Sequence, residues 1–454
     1  MSKEQATMIY SLDDSPPAKT SFFLGLQHVF TTFGINVTVP FLIGPMIGMS
    51  QDQMAVLIGA VLLTAGVTTL LQATLGSRLP VFQGSSFAFI GPYIAIFGVV
   101  GGMGAEATMQ HIAGAIILGS LFEIAVGFSG ILGKLQKYVS PVVIGPVIML
   151  IGLSMFKVGA VQAAENWFLS ILVIVATFVF SLVLGKKNKF FSMFSILSAI
   201  VVGYLVALIM GEVSFDSIRN AQWIRTQIVF PWGLPKFDIG FALIALAGYL
   251  PSIIESYGDY HAVNSTAGGP PLTNKQISRG IGMEGLGCLL TGIWGGFSNT
   301  SLTGNIGAVG LTRVASRKIA VYGASISIFL GLFGKFSGAV ATIPRPVLGG
   351  LFCVLFGLIS SIGLRTVAKA DLNSVRNSLI IGFIIYMGFS VPHYFSQTEI
   401  VIPSAPWLAQ IVSALGSTGI AVTAFLGLIL DNIIPGSRKE RGFDSDDAEE
   451  DLVA

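Results

Sequence analysis

Long apolar stretches separated by short polar connections run through almost the whole chain. Fourteen of them approach the roughly 20 residues with which an α-helix crosses a bilayer. Their approximate cores are residues 21–46, 54–76, 81–99, 110–132, 138–158, 166–185, 190–211, 239–262, 277–297, 298–312, 319–342, 346–364, 377–397 and 407–434. The third and tenth are short and interrupted by small or polar residues, so a count without them gives twelve. The pattern predicts an all-α polytopic membrane protein with 14 transmembrane segments.

Composition supports a membrane protein with little soluble mass. Of the 454 residues, 53% are hydrophobic and 11% are charged, whereas soluble domains are near 25% charged. The net charge of +2 gives no indication of a nucleic-acid partner. The sequence has no phosphate-binding loop, nucleophile elbow or HExxH motif, so we expect neither an enzyme nor a cofactor. Cys288 and Cys353 lie in apolar segments without metal-ligand spacing, which predicts no disulfide and no metal site.

The basic residues predict the orientation in the membrane. If the N-terminus is cytoplasmic, the cytoplasmic connections hold 19 of the 25 Lys and Arg residues, as the positive-inside rule requires. The first 20 residues lack the apolar region of a signal peptide. We therefore expect a multi-pass protein of the cell (inner or plasma) membrane with both termini in the cytoplasm and an acidic, solvated tail after residue 436.

An internal repeat relates the two halves of the chain. The run Pro141-Val-Val-Ile-Gly resembles the run Pro346-Val-Leu-Gly-Gly, and a further glycine lies 11 residues after each proline, at Gly152 and Gly357. The match pairs segment five with segment twelve, and therefore three with ten. Seven segments separate the copies, so they have opposite orientations. Inverted repeats with interrupted helices at corresponding positions are typical of secondary transporters.

The two interrupted segments predict non-helical backbone inside the membrane. Residues 83–92 read QGSSFAFIGP and residues 297–313 read FSNTSLTGNIGAVGLTR. Such backbone is tolerated at membrane depth where it is buried in protein or lines a cavity. We predict two short strands that pair with each other, each followed by a half-helix, which in the third segment begins at Pro92. The alternative is that these small residues form a helix-packing face.

Two carboxylates in the eighth segment are the main candidates for ligand chemistry. Glu255 and Asp259 are four residues apart, so they lie on one face of a helix. Ionisable side chains within membrane segments are energetically unfavourable and by default functional. The alternative is that Asp259 and His261 are solvated charges at the cytoplasmic end of the helix.

Other polar residues in apolar segments have weaker signals. Glu284 lies five residues after Arg279, and we predict a structural role for it, as a partner of that arginine or of a backbone end. The role of Glu123 stays open. His28 either contacts substrate or is a hydrogen-bonded core histidine, the commoner case.

Five stretches carry a resemblance to a known family. They are Gln27-His28, residues 83–89, Glu255–Asp259, the N-x-G-x4-T-R pattern of Asn305–Arg313, and residues 343–350. Together they resemble the nucleobase–ascorbate transporter family (nucleobase:cation symporter-2), which includes xanthine and uracil permeases. The similarity covers nearly the whole chain, and the C-terminal half is most similar to animal members.

The resemblance implies a 7+7 inverted-repeat fold with short β-strands in segments 3 and 10. It also implies a core domain that moves as an elevator against a gate domain, commonly within a homodimer. The implied divisions are 1–20 (N-terminal tail), 21–133 (core, first part), 134–236 (gate, first part), 237–343 (core, second part), 344–436 (gate, second part) and 437–454 (C-terminal tail).

The resemblance also implies the binding site. A small-molecule substrate would contact Glu255, Asp259, Phe87, Ala88, Thr303, Gly304, Asn305 and Ile35. Glu255 and Asp259 would couple transport to a proton or a sodium ion, without a cofactor or a structural metal.

One departure from the family pattern concerns the substrate. Nucleobase carriers usually have Gln or Glu immediately before the signature asparagine, and ascorbate carriers have Pro; this chain has Gly304. Loss of such a side-chain partner weakens binding by roughly 1–3 kcal/mol unless another group replaces it. Thr303, Asn305 and a free backbone N–H are the candidate replacements. We expect a nucleobase, a purine such as xanthine, urate or hypoxanthine, or uracil. The alternatives are an ascorbate-like organic anion, or an anion exchanger or channel of the same fold.

Overall fold

The protein is an almost entirely helical bundle. The computed structural model describes residues 8–131, 138–188, 191, 194–398, 402, 404 and 406–443. The expected domain boundary at 133/134 and the ends of both tails lie outside these residues.

Helices of the first half overlap the first seven apolar segments. They are α1 (Ala18–Met46), α2 (Gln51–Thr74), α3 (Ile90–Val100), α4 (Ala105–Phe128), α5 (Pro141–Ser154), α6 (Phe156–Ala164), α7 (Trp167–Phe178) and α8 (Ser195–Ile209). A π-helical turn, Val179–Leu184, and the helical residues Gly185–Lys187 extend α7. A short helix, α9 (Asp216–Asn220), lies in the connection to the second half.

Helices of the second half follow the same plan. They are α10 (Ile239–Ala267), α11 (Asn274–Trp294), α12 (Gly304–Thr312), α13 (Arg317–Leu332), α14 (Gly334–Ala341), α15 (Arg345–Val367), α16 (Val375–Gln397), α17 (Pro406–Ser417) and α18 (Gly419–Ile433). Among the described residues, eight helical stretches are long and apolar enough, by length and composition, to cross a membrane. Three shorter apolar helical stretches accompany them, Phe87–Met103, Ser195–Ile209 and Gly419–Ile433.

Two short strands lie inside this bundle. Strand β1 (Gln83–Ser85) and strand β2 (Asn299–Ser301) pair antiparallel, with Gln83 opposite Ser301 and Ser85 opposite Asn299. They fall in the third and tenth apolar segments. The prediction that the half-helix of the third segment begins at Pro92 was wrong. A 3₁₀ turn, Phe87–Phe89, already follows the strand, and α3 begins at Ile90, since proline is well accommodated in the first turn of a helix.

The glycines of the first repeat copy lie where the repeat-related helices α5 and α15 touch. A Cβ atom on Gly145 would lie 2.7 Å from the backbone nitrogen of Val367, and one on Gly152 would lie 2.3 Å from the carbonyl oxygen of Phe356. The glycines therefore let two backbones approach more closely than any side chain would permit. The counterparts in the second copy differ, since a Cβ atom on Gly350 would lie 2.5 Å from the carbonyl oxygen of Ser170 in α7, and one on Gly357 would meet no atom within 4 Å. Of the repeated glycines, those of the first copy alone therefore make the close contact of α5 with α15.

Candidate functional site

The strand pair supplies the backbone framework of the candidate site. Beyond the ladder itself, the N–H of Ser86 donates to the carbonyl of Ser298, and the N–H of Leu302 donates to the carbonyl of Phe82, both at 2.9 Å. All six strand residues are buried. Pairing therefore satisfies extended backbone that is buried in protein, which is the condition for irregular backbone in a membrane protein.

A helical turn follows each strand and begins with unbonded backbone. The Ser86 hydroxyl accepts from the N–H of Ala88 at 3.3 Å. Within the described part of the chain, no protein acceptor is found for the N–H groups of Phe87 or Gly304. Gly304 is the first residue of α12, so its N–H lies at the positive end of the helix dipole. These groups can donate hydrogen bonds to a ligand.

Asp259 fastens the second strand and half-helix to α10. It is 3% exposed, and its carboxylate accepts from the Ser301 hydroxyl at 2.9 Å and from the Thr303 hydroxyl at 2.9 and 3.0 Å. Asp259 is therefore not a solvated charge at a helix end. Because its nearest donors come from residues of the tenth segment, any change in its charge would act directly on that segment.

Glu284 lies behind Asp259 in a second buried group of hydrogen bonds. Its carboxylate accepts from the Ser256 hydroxyl at 2.6 Å, the Tyr260 hydroxyl at 3.2 Å and the Thr300 hydroxyl at 3.4 Å. The expected pairing with Arg279 was wrong, since Glu284 is fully buried and Arg279 is exposed. Five helical residues correspond to about 140° around the axis, so the two side chains face different directions.

Glu255 differs from these two carboxylates because it is free. It makes no hydrogen bond or ion pair with any residue that the structure describes, and it is only half-buried. Its neighbour Ser256 bonds both Glu284 and Ser301, which fixes this turn of α10 against the strand pair. A carboxylate that is held in place but unpaired can accept N–H groups from a ligand or a coupling proton.

Asn305 and Thr303 are already engaged by protein groups. Asn305 Oδ1 lies 2.6 Å from Nδ1 of His28, and Asn305 Nδ2 donates to the carbonyl of Pro80 at 3.3 Å. The Thr303 hydroxyl donates to Asp259. Of the three candidate replacements for the missing side chain before Asn305, the backbone N–H of Gly304 is therefore the one left unbonded by the described residues.

Apolar side chains surround these polar groups. A Cβ atom on Gly304 would lie 2.9 Å from Cδ1 of Ile35, which places α1 beside the start of α12. Phe87 contacts Phe356 of α15 edge-to-face, with ring centroids 5.8 Å apart. Ala88 is fully buried next to Phe87. A Cβ atom on Gly258 would lie 3.3 Å from Ile144 of α5.

Several residues of the site could not be selected from the sequence. Ser256, Tyr260 and Ser301 are ordinary residue types, and their relation to Glu284 and Asp259 depends on the tertiary fold. A weak signal existed for Ser256, which lies between the two carboxylates within the Glu255–Asp259 motif. Glu123 is also fully buried, and neither of its oxygens has a hydrogen-bond partner in the described residues.

The broken helices, the strand pair and the buried carboxylates define the class of the protein as a membrane transporter. The fold is similar to that of the transmembrane domain of a cyanobacterium bicarbonate transporter, BicA, with a TM-score of 0.55 and 14% identity over 93% of this chain and 100% of that one. At that identity the likeness concerns the fold alone.

Sequence comparison shows the family. A family model described as "Permease family" matches residues 19–397. Solute carrier family 23 member 2 of Mus musculus is 37% identical over 495 residues, which cover 97% of this chain and 76% of that protein. Nucleobase-ascorbate transporter 12 of Arabidopsis thaliana is 28% identical over 503 residues, covering 96% and 71%. The chain belongs to this permease family, the nucleobase–ascorbate transporters, whose members are transporters and not enzymes.

Proposed function

We propose that this protein is a cation-coupled symporter of a nucleobase, with the proton as the coupling ion. The observation that carries the proposal is the unpaired Glu255 carboxylate on a helix turn that is fixed to the strand pair through Ser256. Nucleobases present adjacent N–H donors and carbonyl acceptors on a flat, largely uncharged ring. Glu255 can accept from such donors, and the backbone N–H of Gly304 can donate to such a carbonyl.

The surroundings favour a neutral, flat substrate over an organic anion. Phe87 and Ile35 offer apolar surface for a ring, with Ala88 fully buried next to Phe87. Glu255 and Asp259 contribute two carboxylates on one helix face. An ascorbate-like anion would be repelled by an ionised carboxylate unless a proton or a sodium ion neutralised it. For the same reason we disfavour an anion exchanger or channel. The glycine at position 304 is the feature that keeps ascorbate as the competing substrate.

Coupling is assigned to Glu255 and Asp259. When the site closes, an ionised Glu255 would be a desolvated charge, which is energetically unfavourable. Protonation removes that charge, so substrate and proton would enter together. Asp259 is the accessory group, because its hydrogen bonds to Ser301 and Thr303 transmit its charge state to the tenth segment. Sodium in place of the proton is the alternative that an ion-replacement experiment separates.

We further propose that transport is an elevator movement of a core domain against a gate domain. The core would comprise residues 21–133 and 237–343, and the gate residues 134–236 and 344–436. Tight glycine-mediated packing lies within each proposed domain, as between α4 and α11 or α5 and α15. The contact of Phe87 with Phe356, which bridges the two domains, is apolar, as a sliding interface favours. Hydrogen bonds also cross this division, from Trp232 to the carbonyl of Gly295 and between the hydroxyls of Tyr204 and Thr342, each at 2.8 Å, so the proposed movement would have to break them. Membrane insertion with both termini in the cytoplasm and a homodimeric assembly complete the proposal.

Ligand-dependent thermal unfolding of the purified protein tests the substrate. Xanthine, hypoxanthine, urate, uracil and ascorbate are compared, each with sodium and with choline as the cation. A bound ligand at 100 times its Kd stabilises the native state by about 2.7 kcal/mol. We expect a nucleobase to raise the melting temperature in the absence of sodium. Stabilisation by ascorbate alone would contradict the assignment.

Glu255→Gln tests the coupling residue. The variant keeps the shape of the side chain but loses its charge, and a hydrogen bond to a charged group contributes about 1.5–3 kcal/mol. We expect uptake of the stabilising nucleobase to be abolished while the protein remains in the membrane. Glu106→Gln, at an exposed glutamate of α4, is the matched control. Normal pH-dependent uptake by Glu255→Gln would remove Glu255 from the mechanism.

A further inference from the structure

An open cavity of about 330 Å³ lies between the end of α4 and the start of α11, and its lining residues are not among those of the candidate substrate site. It is lined by Phe128, Gly130, Asn274, Lys275, Ser278 and Arg279. The cavity follows from how the helices cross. A Cβ atom on Gly127 would lie 2.2 Å from the backbone nitrogen of Gly282, so the two helices touch there and Phe128 covers Gly282. The cavity opens beyond this contact, at the membrane face that we propose is cytoplasmic.

Two unneutralised cations line the cavity. Lys275 and Arg279 are four residues apart on one face of α11, and both are exposed. Neither forms an ion pair or hydrogen bond within the described chain. The lining residues include no acidic side chain. The cavity is therefore a site of positive potential.

The first turn of α11 adds backbone donors to this charge. Thr273 and Gln276 form a capping box, in which the Thr273 hydroxyl accepts from the N–H of Gln276. For the part of the chain that is described, the N–H groups of Asn274 and Lys275 have no protein acceptor. They lie at the positive end of a 21-residue helix, where anions bind favourably.

Ser278 gives independent support for a ligand. It lines the same cavity, is 7% exposed, and its hydroxyl has no hydrogen-bond partner in the described structure. A buried hydroxyl without a partner loses about 1–3 kcal/mol relative to one that is hydrogen-bonded. A helical serine can bond the carbonyl four residues earlier, but Ser278 does not. An oxygen-rich ligand in the cavity would provide the missing partner.

We propose that this cavity binds a phosphate group, supplied by the headgroup of an anionic phospholipid. Lys275 and Arg279 would pair with the phosphate oxygens, while Ser278 and the first-turn N–H groups would hydrogen-bond them. Phe128 would contact the glycerol or the upper part of an acyl chain. A lipid is favoured over a soluble phosphate because the cavity opens where a membrane helix ends. The inference does not depend on the identity of the transported substrate.

Lipid retention by the purified full-length protein tests the site. Native mass spectrometry of the detergent-solubilised protein measures binding of phosphatidylglycerol and of phosphatidylcholine. A parallel arm measures the melting temperature in sodium phosphate and in sodium chloride of equal ionic strength. We expect the protein to bind phosphatidylglycerol more tightly than phosphatidylcholine. In the Lys275→Gln/Arg279→Gln variant the affinity for phosphatidylglycerol should fall about tenfold or more, because each basic residue near the membrane surface strengthens the binding of anionic lipid.

Two further variants separate a built site from general attraction. Lys186→Gln/Lys187→Gln removes the same charge from two other exposed lysines and should leave binding unchanged. Ser278→Ala changes no charge and should still weaken binding severalfold. Stabilisation by inorganic phosphate, without lipid preference and lost in the same variants, would support the site and identify a soluble phosphate as its ligand. Equal loss in both double variants, or binding of neither probe, would overturn the proposal.

Discussion

The two interrupted segments share one plan but are fixed in place by different chemistry. We call Gln83–Val100 the first arm and Asn299–Thr312 the second arm. In the first arm, the ring of Phe89 packs edge-to-face on Tyr249 of α10 at 4.6 Å between centroids. The ring of Tyr93 stacks on Phe297 at 4.9 Å. Aromatic packing thus holds the first arm, together with a hydrogen bond from the N–H of Ser298 to the Tyr93 hydroxyl at 2.8 Å.

Hydrogen bonds between side chains hold the second arm. The Thr303 hydroxyl donates to Asp259, and Asn305 bonds His28, at distances of 2.9 and 2.6 Å. Apolar packing depends little on protonation, whereas these bonds depend on the charge and tautomer of their partners. The second arm can therefore respond to a coupling ion, while the first arm serves as a rigid counterpart.

Disrupting the contact that both arms share should have the largest effect. In Gly84→Ala the new Cβ atom would lie 1.8 Å from Oδ1 of Asn36 and 2.8 Å from Cδ1 of Leu302. Both side chains are buried, at 4% and 5% exposed, so they have less room to turn away than the half-buried Ile35 beside Gly304. Overpacking of this kind lowers the free energy of unfolding by about 1–3 kcal/mol, occasionally more. We expect a lower melting temperature and a lower yield of monodisperse protein, measured by thermal unfolding and gel filtration.

Gly98→Ala is the matched control for this substitution. It makes the same chemical change in the same arm, but its Cβ atom would meet no atom within 4 Å. Because alanine favours a helix by about 1 kcal/mol over glycine, stability should stay the same or rise. If both variants melt alike, the close approach at Gly84 does not limit the fold.

The sequence predicted the arms themselves because their physical signal is local. Small and polar residues in otherwise apolar segments indicate backbone that cannot remain a continuous membrane helix, and both strands lie in those segments. The carboxylates were found for the same reason, since a charge in an apolar segment is energetically unfavourable. The energetic cost of a charge in an apolar segment can be predicted without knowing which residues contact it.

The partners required the tertiary structure. His28 and Asn305 are 277 residues apart, and no spacing rule relates them. The sequence therefore predicted Asn305 as a substrate contact, whereas both the oxygen and the nitrogen of its amide are bonded to protein groups in the structure. The pairing of Glu284 with Arg279 was wrong because the prediction considered their separation in the sequence and not their positions around the helix. Roles of Glu255, Phe87 and the other site residues in binding stay predictions.

The bond between His28 and Asn305 should give the next largest effect. Asn305→Ala leaves the buried Nδ1 of His28 and the carbonyl of Pro80 without partners, and an unsatisfied buried polar group lowers stability by about 1–3 kcal/mol. His28→Phe should be tolerated better, because the new ring can still stack on Phe82, whose ring centroid lies 5.1 Å from that of His28.

A double-mutant cycle of these two variants measures the coupling by thermal or chemical unfolding. Residues in one hydrogen bond usually show interaction energies of about 0.5–3 kcal/mol. Additive losses would mean that the bond does not stabilise the second arm, and the contrast between the arms would then rest on Asp259 alone.

A smaller effect is expected where a second donor remains. Thr303→Val keeps the side-chain shape but removes one hydroxyl from Asp259, which still accepts from Ser301 at 2.9 Å. A typical hydrogen bond contributes about 0.5–1.5 kcal/mol. Uptake should fall severalfold, because the first turn of α12 is held less firmly. Thr74→Val, at the exposed end of α2, removes a hydroxyl that bonds only the carbonyl of Leu70 in its own helix and should leave uptake unchanged.

The smallest effect on stability should come from Gly304→Ala, although this substitution, like Gly84→Ala, adds a methyl group to a glycine of an arm. Its Cβ atom would lie 2.9 Å from Cδ1 of Ile35, the flexible end of a side chain that can turn away. The gain in helix propensity, about 0.5–1 kcal/mol, should offset the crowding. The added methyl group would nevertheless stand beside the unbonded N–H that we assign to the substrate, so KM for the nucleobase should rise severalfold while the melting temperature changes little. A fall in melting temperature as large as that of Gly84→Ala would show that the second arm is held by packing as tightly as the first, and the contrast between them would fail.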